Sequence, residues 1–237
     1  MTGAGGIGAL DAALADHGLC LRGWVFPDIT TVAMPSGDGV ASAICLVGHT
    51  GGGFWPVFEA WWEKHPGIGD PLDTWSKTVI IPLAEAAGGE AVFPSDRPWQ
   101  PFQQWAMAAE GLKPSPLGML IHPDFGLWHG YRGAILFGDR AMADPALAEV
   151  RLAALDARDA KPHPCDSCAG KPCLSGCPVN AFGPAGLDVL SCRAWLKTEP
   201  GRKGCMTSGC LARDACPVGR GHRYGDAQIR FHMTAYS

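Results

Sequence analysis

The sequence predicts a mixed α/β (α+β) domain over residues 1–160, followed by a small cysteine-rich domain over residues 161–237. Helix-like and strand-like patterns alternate through the first segment, and 47% of the chain is apolar, enough to build a core. Eight of the ten cysteines lie between Cys165 and Cys216. The first segment carries 9 Lys and Arg against 18 Asp and Glu, whereas the second carries 10 against 5. Cysteine content and charge therefore change at the same place.

Apolar spacing and turn residues predict the elements in the first half of the large domain. Leu10, Ala13 and Leu14 recur at helical spacing, which predicts a helix over residues 10–18 that ends at Gly18. The apolar run VASAICLV predicts a buried strand over residues 40–47. Three glycines follow this run, before an aromatic-rich helix over residues 54–65 that Pro66 closes.

The second half of this domain shows the same kind of signals. Asp73 and Thr74 suit the N-cap of a helix, which Pro82 should kink or split. Asp144-Pro145 combines an N-cap residue with a first-turn proline and predicts a later helix. The other predicted elements are a strand over residues 91–93, a helix over residues 101–110 and a strand over residues 133–137.

The cysteines form two runs, each ending in Cys-Pro. The first run is Cys165, Cys168, Cys173 and Cys177, and the second is Cys192, Cys205, Cys210 and Cys216. Bacterial two-cluster ferredoxins use CxxCxxCxxxCP, in which the fourth cysteine binds the other cluster. By that pattern one 4Fe-4S cluster is held by Cys165, Cys168, Cys173 and Cys216, the Cys165 set. The other is held by Cys177, Cys192, Cys205 and Cys210, the Cys192 set.

Structural zinc is the alternative, because CxxC pairs also build four-thiolate zinc sites. Zinc does not account for the two Cys-Pro endings or for eight ligands that divide into two sets of four. The gaps after Cys168 and Cys210 are wider than in the ferredoxin pattern. The pattern therefore supports the presence of clusters more directly than it supports the crossed assignment of their ligands. Cys20 and Cys45 have apolar neighbours and are expected to be buried structural thiols.

Charge and hydropathy narrow the classes of partner. A basic segment suggests nucleic acid as a partner. Two clusters with a charge of about −2 each would, however, cancel most of the excess positive charge of this segment. Local charge compensation is therefore the favoured interpretation. The acidic first domain also counts against tRNA. No apolar stretch approaches the roughly 18 residues of a membrane span, and the first ten residues lack a signal-peptide pattern. A soluble, cytoplasmic protein is expected, in which clustered thiols serve metal or redox chemistry.

A further motif lies at residues 118–137, in the run GMLIHPDFGLWHGYRGAILF. It resembles the I-H-P-x-F-G-x-W-x-x-x-R-G signature of cobalamin-processing proteins of the MMACHC (CblC) type. Upstream, PFQQWA resembles the segment of that family whose glutamine lies on the upper axial side of the corrinoid, which implies this role for Gln104. The resemblance implies a nitroreductase-like, corrinoid-binding domain over residues 1–160. The residues that match the signature are Ile121, His122, Pro123, Phe125, Gly126, Trp128, Arg132 and Gly133.

The cysteine-rich segment resembles the double-cluster module of epoxyqueuosine reductases and corrinoid reductive dehalogenases. CPVNAF and the Leu187-Asp188 pair before Cys192 carry this second resemblance. Together the resemblances imply a ferredoxin-like domain with two 4Fe-4S clusters, placed to reduce the cobalt of a bound corrinoid. No DxHxxG motif, which donates a lower histidine to cobalt in many corrinoid enzymes, is present, so base-off cobalamin is expected. An electron donor such as a flavodoxin, a ferredoxin or their reductase would supply the electrons.

The residue types are compatible with a corrinoid, which is a wide, largely apolar disc fringed with amides. Trp and Phe supply flat contact, and Gly allows close approach of the backbone. Gly51 and Gly52 could turn backbone N–H groups toward amide or phosphate oxygens, although a plain strand-to-helix turn fits them equally well. Outside the motif, His122 would be taken for a structural histidine and Arg132 for a member of a buried ion pair.

The sequence therefore predicts an oxidoreductase that passes electrons through two 4Fe-4S clusters to base-off cobalamin. The product would be cob(I)alamin, or cobalamin without its upper axial ligand. Two alternatives stay open: a cobalamin-dependent reductase of a separate organic substrate, like epoxyqueuosine reductase, and a non-catalytic cobalamin carrier or electron shuttle. No catalytic residue stands out, since Tyr131, Tyr224, His129 and His222 each fit a proton donor or a packing role.

Overall fold

The computed structural model describes residues 6–26, 32–156, 162–184 and 186–236 of the chain. The fold is mixed α/β, as the sequence predicts. The helices are α1 (Ile7–Ala15), α2 (Trp55–Glu63), α3 (Pro71–Ala86), α4 (Phe102–Glu110), α5 (Pro145–Asp156), α6 (Pro172–Ser175), α7 (Val189–Leu196), α8 (Glu199–Lys203), α9 (Cys205–Ser208), α10 (Leu211–Asp214) and α11 (Asp226–Thr234). The strands are β1 (Cys20–Val25), β2 (Ala43–Thr50), β3 (Glu90–Val92), β4 (Lys113–Pro114), β5 (Leu120–Ile121), β6 (His129–Phe137), β7 (Phe182–Gly183) and β8 (Gly186–Leu187).

The chain divides into two compact units. The sheet unit is built from the described residues of 1–49, 53–111 and 130–160, and the cysteine unit from those of 50–52, 112–129 and 161–236. The predicted domains, 1–160 and 161–237, assign residues 112–129 to the first domain, whereas their contacts group them with the cysteine-rich segment. None of the helices in the described part of the chain is long and apolar enough to cross a membrane.

A four-stranded sheet in the order β1-β2-β6-β3 organises the sheet unit. β1 pairs antiparallel with β2, and β3 pairs antiparallel with β6. Seven of the eight residues of β2 are buried, and so are the last five of β6, which makes these two strands the centre of the core. Each helix and strand predicted for residues 1–160 has a counterpart within a few residues of the expected position.

Among the strands of the four-stranded sheet, β1 is the one that the sequence analysis missed. Its register with β2 shifts between Leu21 and Gly23, and Gly23 has a φ of 136°, which favours glycine. Because of this bulge the buried residues of β1 are Arg22 and Val25, three positions apart, instead of alternating. The burial of an arginine and the loss of the two-residue period together hide the strand from pattern analysis.

Helix α3 is not split at Pro82, which was one of the two outcomes predicted for that proline. The helix runs unbroken from Pro71 to Ala86 with Pro82 inside it. Pro82 and Thr78, whose carbonyl loses its N–H partner to the proline, both lie on the exposed side of the helix, where water can satisfy that carbonyl. Val79 and Ile80 are buried and pack the other side into the core.

The cysteine unit is made of short pieces. Its helices α6, α8, α9 and α10 have four or five residues each, too few to be stable alone. Its core joins two cysteines, Cys173 and Cys216, to side chains contributed by residues 112–129. The buried members of that core are Leu117, Ile121, Leu127, Cys173, Ala212 and Cys216.

Candidate metal centre

The four cysteines of the Cys165 set surround one pocket. Cys165 and Cys168 lie in the turns before α6, Cys173 lies in α6, and Cys216 follows α10. Apolar side chains and prolines form most of the rest of the wall, which also contains Ser115 and Lys171. The apolar members and prolines are Pro116, Leu117, Ile121, Leu127, Pro164, Pro172, Pro217 and Val218.

The thiols of the Cys165 set lie near enough to affect one another's ionisation. Burial raises the pKa of Cys165, and the charges of Cys216, Cys173 and Cys168 raise it further. Burial likewise raises the pKa of Cys173, with further contributions from Cys216 and Cys168. Four thiolates this close repel one another unless positive charge lies between them. Iron ions would supply that charge, which agrees with the donor set of an iron-sulfur cluster.

The Cys192 set is assembled from separate short helices. Cys192 lies in α7, Cys205 in α9 and Cys210 directly before α10. Burial raises the pKa of Cys192, followed by the charges of Cys210, Cys177 and Cys205. Burial also raises the pKa of Cys210; backbone hydrogen bonds lower it, and the charges of Cys205 and Cys177 raise it. The Cys177 Sγ accepts a hydrogen bond of 3.3 Å from the Ala181 N–H.

Each set therefore contains one cysteine from the other run. Cys216, the last cysteine of the second run, lines the pocket of Cys165, Cys168 and Cys173. Cys177, the last cysteine of the first run, acts on the ionisation of Cys192 and Cys210. This grouping is the one that the ferredoxin pattern implies. That each set binds a 4Fe-4S cluster stays a prediction.

Two glycines bring the short helices of this unit together. A Cβ on Gly176 would lie 3.1 Å from the Ala215 Cβ and 3.1 Å from the Leu211 carbonyl oxygen. Gly209 has a φ of 88°, and a Cβ there would lie 2.9 Å from the Ile229 Cγ2. Both glycines flank cysteines, since Gly176 precedes Cys177 and Gly209 precedes Cys210.

Among the described residues, no three His, Cys, Asp or Glu side chains meet as ligands of a single metal ion. In a 4Fe-4S cluster each cysteine binds a different iron, so four sulfurs need to surround a common space instead of meeting at one point. The pocket inside the Cys165 set is such a space.

Buried N–H groups without a partner test whether the surroundings suit a cluster. In the described part of the cysteine unit, Trp195 Nε1, Arg213 Nε and Gln228 Nε2 are buried and make no hydrogen bond. Trp195 and Arg213 each follow a cysteine of the Cys192 set by three residues. A buried donor without an acceptor costs about 1–3 kcal/mol. The sulfur atoms of a cluster accept such hydrogen bonds, so these donors are compatible with a cluster; the sheet unit also buries one such donor, Trp105 Nε1.

The segment that resembles the cobalamin-processing signature packs within the cysteine unit. Ile121 and Leu127 share a core with Cys173 and Cys216. His122 holds the turn after Ile121, because its Nδ1 accepts hydrogen bonds from the backbone N–H groups of Asp124, at 3.0 Å, and Phe125, at 3.2 Å. The structure thus uses His122 to shape the loop, as expected of a structural histidine.

The centre of that segment touches the chain that follows Cys216. A Cβ on Gly126 would lie 2.0 Å from the Val218 carbonyl oxygen, and Gly126 has a φ of 58°, so only glycine fits here. The ring of Phe125 meets the edge of His222 at 5.0 Å between ring centres. These contacts link the signature segment to the last cysteine of the Cys165 set.

Trp128 is buried, and it contacts one cationic neighbour, Arg213, and one aromatic neighbour, Tyr224. The Arg213 guanidinium lies 4.2 Å from the centre of its ring, and the Tyr224 ring lies 5.3 Å away at a steep angle. Arg213 also donates a hydrogen bond to the Leu127 carbonyl. Trp128 therefore connects the signature segment with α10, the helix between Cys210 and Cys216. The sequence analysis did not single out Arg213. Its position three residues after Cys210, a predicted ligand, could have indicated that it lies near the site.

Gly51 and Gly52 lie in the same unit. The Gly51 N–H donates to the Trp128 carbonyl at 2.7 Å, so this group serves the turn after β2. A Cβ on Gly52 would lie 3.0 Å from the Gln228 Oε1. For Gly51 the structure therefore favours the strand-to-helix turn over a ligand contact, and Gly52 is packed against a buried glutamine.

The remaining predicted contact residues have different surroundings. Gln104 and Arg132 belong to the sheet unit, where Gln104 is exposed on α4 and Arg132 is half-buried. The Arg132 Nε donates to the carbonyl of Tyr131 at 3.0 Å. Pro123 is half-buried in the cysteine unit. Cys45 is buried, as expected, whereas Cys20 is only half-buried; burial raises the pKa of both.

Tyr131 belongs to a buried polar group in the core of the sheet unit. The Arg22 Nη2 lies 2.7 Å from the Glu110 Oε2, and the Tyr131 hydroxyl donates to the Glu110 Oε1 at 2.6 Å. Burial raises the pKa of Tyr131, and the charge of Glu110 raises it further. Because its proton is already shared with Glu110, Tyr131 is a poor proton donor, and its role is structural.

We expect Glu110→Ala to destabilise the sheet unit strongly. The change leaves the Arg22 guanidinium buried without its carboxylate and the Tyr131 hydroxyl without its acceptor. Removing one partner of a buried ion pair costs about 3–5 kcal/mol. Urea unfolding followed by circular dichroism measures the loss.

Asp96→Ala is the matched control. Asp96 pairs with Lys77 at 2.5 Å, but both side chains are more than a third exposed, so its loss should cost below about 1 kcal/mol. Equal losses in the two variants would contradict a special role for the buried group.

No protein-family model matches the chain, and no curated protein matches it.

Proposed function

We propose that the protein is an iron-sulfur oxidoreductase that passes electrons through two 4Fe-4S clusters to base-off cobalamin. The cysteine unit is the electron-transfer module. The Cys165 set would hold one cluster and the Cys192 set the other. Cobalamin is the substrate, which leaves as cob(I)alamin or without its upper axial ligand.

The crossed grouping of the cysteines is the observation that carries this proposal. A four-thiolate zinc site can be built from neighbouring cysteines of one run, and it gives no reason for Cys177 and Cys216 to change places. Two interlocked clusters give such a reason, because each Cys-Pro ending then ties one half of the module to the other. The unpaired donors of Trp195, Arg213 and Gln228 add support, since clusters accept hydrogen bonds at sulfur.

Support for cobalamin comes from the signature segment and its contacts. The segment packs its apolar side chains, Ile121 and Leu127, on cysteines of the Cys165 set. Pro123 and Phe125 remain partly open to solvent, beside the exposed Asp124. A corrinoid that contacted these open residues would lie near the Cys165 set, which favours electron transfer between them.

The clusters, when bound, supply electrons one at a time. Two such electrons convert cob(III)alamin to cob(I)alamin, and the upper ligand departs as the cobalt loses its affinity for it. Without a strong lower ligand the cobalt potential rises toward the range of low-potential clusters, which reach about −700 mV. The protein's own contribution is to bind and orient the substrate and to keep the Cys165 pocket apolar.

The test is reconstitution of the full chain under anaerobic conditions, followed by hydroxocobalamin. We expect about eight irons and eight sulfides per chain. We also expect a base-off absorption spectrum on mixing and cob(I)alamin at potentials where the clusters are reduced. Fewer than about six irons would contradict the two-cluster reading. Binding without faster reduction would instead identify a cobalamin carrier.

Gln104 provides a separate test of the cobalamin site. If Gln104 contacts the upper face of the corrinoid, Gln104→Ala should weaken cobalamin binding about tenfold, the equivalent of one hydrogen bond. The neighbouring Gln103 is also exposed on α4, so Gln103→Ala is the control and should bind normally. Spectroscopic titration gives both dissociation constants, and wild-type affinity in Gln104→Ala would exclude the contact.

A further inference from the structure

An exposed apolar patch lies at the start of α7 in the cysteine unit. Leu187, Val189 and Leu190 are 37%, 50% and 82% exposed. Single exposed apolar side chains are common, but here three follow one another with one aspartate between them. A leucine that is 82% exposed contributes nothing to the core. Contiguous patches of this kind mark interaction sites more often than chance placement does.

The patch lies next to the Cys192 set. Cys192 is half-buried and stands two residues after Leu190 on the same helix. Asp188, between Leu187 and Val189, caps α7 through the Ser191 N–H at 3.0 Å. The Cys192 N–H donates to the Asp188 carbonyl at 3.1 Å. The apolar patch therefore lies within one helical turn of Cys192: Val189, three residues before it, shares its side of α7, whereas Leu190, two residues before it, points to another side.

Basic side chains follow the patch along α7 and α8. Arg193 and Lys197 follow Leu190 at spacings of three and seven residues, which places all three on one exposed face of α7 and its C-cap. Within the described residues neither Arg193 nor Lys197 pairs with a carboxylate. Arg202 and Lys203 are exposed on α8, where Lys203 pairs with Glu199. We call this surface, from Leu187 to Lys203, the α7 face.

We propose that the α7 face is the docking surface for an acidic one-electron carrier protein. This inference rests on the proposed function, because it assigns the entry point for the electrons of that function. An apolar centre with a charged rim is the usual plan of a protein interface, and small interfaces suit transient electron-transfer partners. Arg193 and Lys197, which pair with no carboxylate in the described part of the chain, select a partner with carboxylates around its redox centre. One electron leaves the reduced carrier and enters the cluster of the Cys192 set, and no proton or bond is exchanged.

The experiment measures cluster reduction in the reconstituted full chain by stopped flow, with a reduced acidic plant-type ferredoxin as the probe. We expect Leu190→Asp and Lys197→Glu each to lower the second-order rate constant about tenfold at low salt. Salt should slow the wild-type reaction and have a weaker effect on Lys197→Glu, because screening removes the same attraction as the substitution.

Two controls match these variants in residue type and exposure on the sheet unit. Leu152 is a 65% exposed helical leucine, and Lys64 is an exposed lysine at the end of α2. Leu152→Asp and Lys64→Glu should react at the wild-type rate. Dithionite, which is small and needs no docking surface, should reduce all variants equally.

The outcomes separate this inference from the proposed function. A chain without clusters refutes both. Intact clusters that react with ferredoxin equally fast in wild type, Leu190→Asp and Lys197→Glu overturn the docking surface alone. The docking surface is also overturned if the two variants differ from wild type in dimer content on size-exclusion chromatography while ferredoxin reduces them at the wild-type rate. A second copy of the chain would then occupy the face.

Discussion

The double variant Cys165→Ala/Cys216→Ala is expected to keep one of its two clusters. Both cysteines belong to the Cys165 set, so removing them together destroys one site and leaves all four ligands of the other. About four irons per chain should remain. Alanine is chosen because serine can still bind iron through its oxygen.

The double variant Cys165→Ala/Cys177→Ala should instead lose both clusters, because the grouping assigns its two positions to different sets. An uncrossed arrangement, with one cluster per run, predicts the opposite result for the two variants. Iron and sulfide analysis with electron paramagnetic resonance distinguishes them. Equal iron contents in the two double variants would contradict the crossed assignment.

Cys20→Ala controls for the loss of a thiol as such. Cys20 lies outside both sets, is half-buried, and donates a weak hydrogen bond from its Sγ to the Gly48 carbonyl. This variant should retain about eight irons. A loss of iron here would mean that iron content reports general stability instead of ligand removal.

Much of the sheet unit could be predicted from the sequence because its elements obey simple periods. The apolar run before residue 50 forms β2, and the aromatic run after residue 54 forms α2. β1 escaped because its buried residue is Arg22, whose charge is neutralised by Glu110, 88 residues later in the chain. No local pattern contains that information, since the partner is supplied by the tertiary structure.

The sequence predicts the two sets of candidate ligands, but it could not predict their surroundings. The grouping follows from cysteine spacing read against the ferredoxin pattern, and the lining of the Cys165 pocket agrees with it. The sequence could not indicate that residues 112–129 complete the wall of the Cys165 pocket, because Leu117 and Leu127 look like ordinary core residues. Nor could it indicate that Gly126 is required by the approach of Val218, which is a contact between distant segments.

Removal of the clusters is expected to unfold the cysteine unit and leave the sheet unit folded. The apolar core of the cysteine unit has few members apart from Cys173 and Cys216, and α9 and α10 are a single turn each. Without iron, the metal–sulfur bonds that would join the short helices are absent, and the unpaired Trp195 and Gln228 donors remain buried, which opposes folding. The sheet unit holds neither cysteine set, and its core is built on β2 and the end of β6.

Hydrogen exchange followed by mass spectrometry measures this effect segment by segment. After oxidative removal of iron in the presence of a chelator, amides in α7, α9 and α11 should exchange at least a hundredfold faster, which corresponds to a loss of about 2.7 kcal/mol or more. Amides in β2 and β6 should keep their protection, because these strands pack in the buried sheet. Chelator alone, without oxidant, is the control and should leave both units protected. Unchanged protection of α9 in the iron-free chain would mean that the cysteine unit folds without its metal.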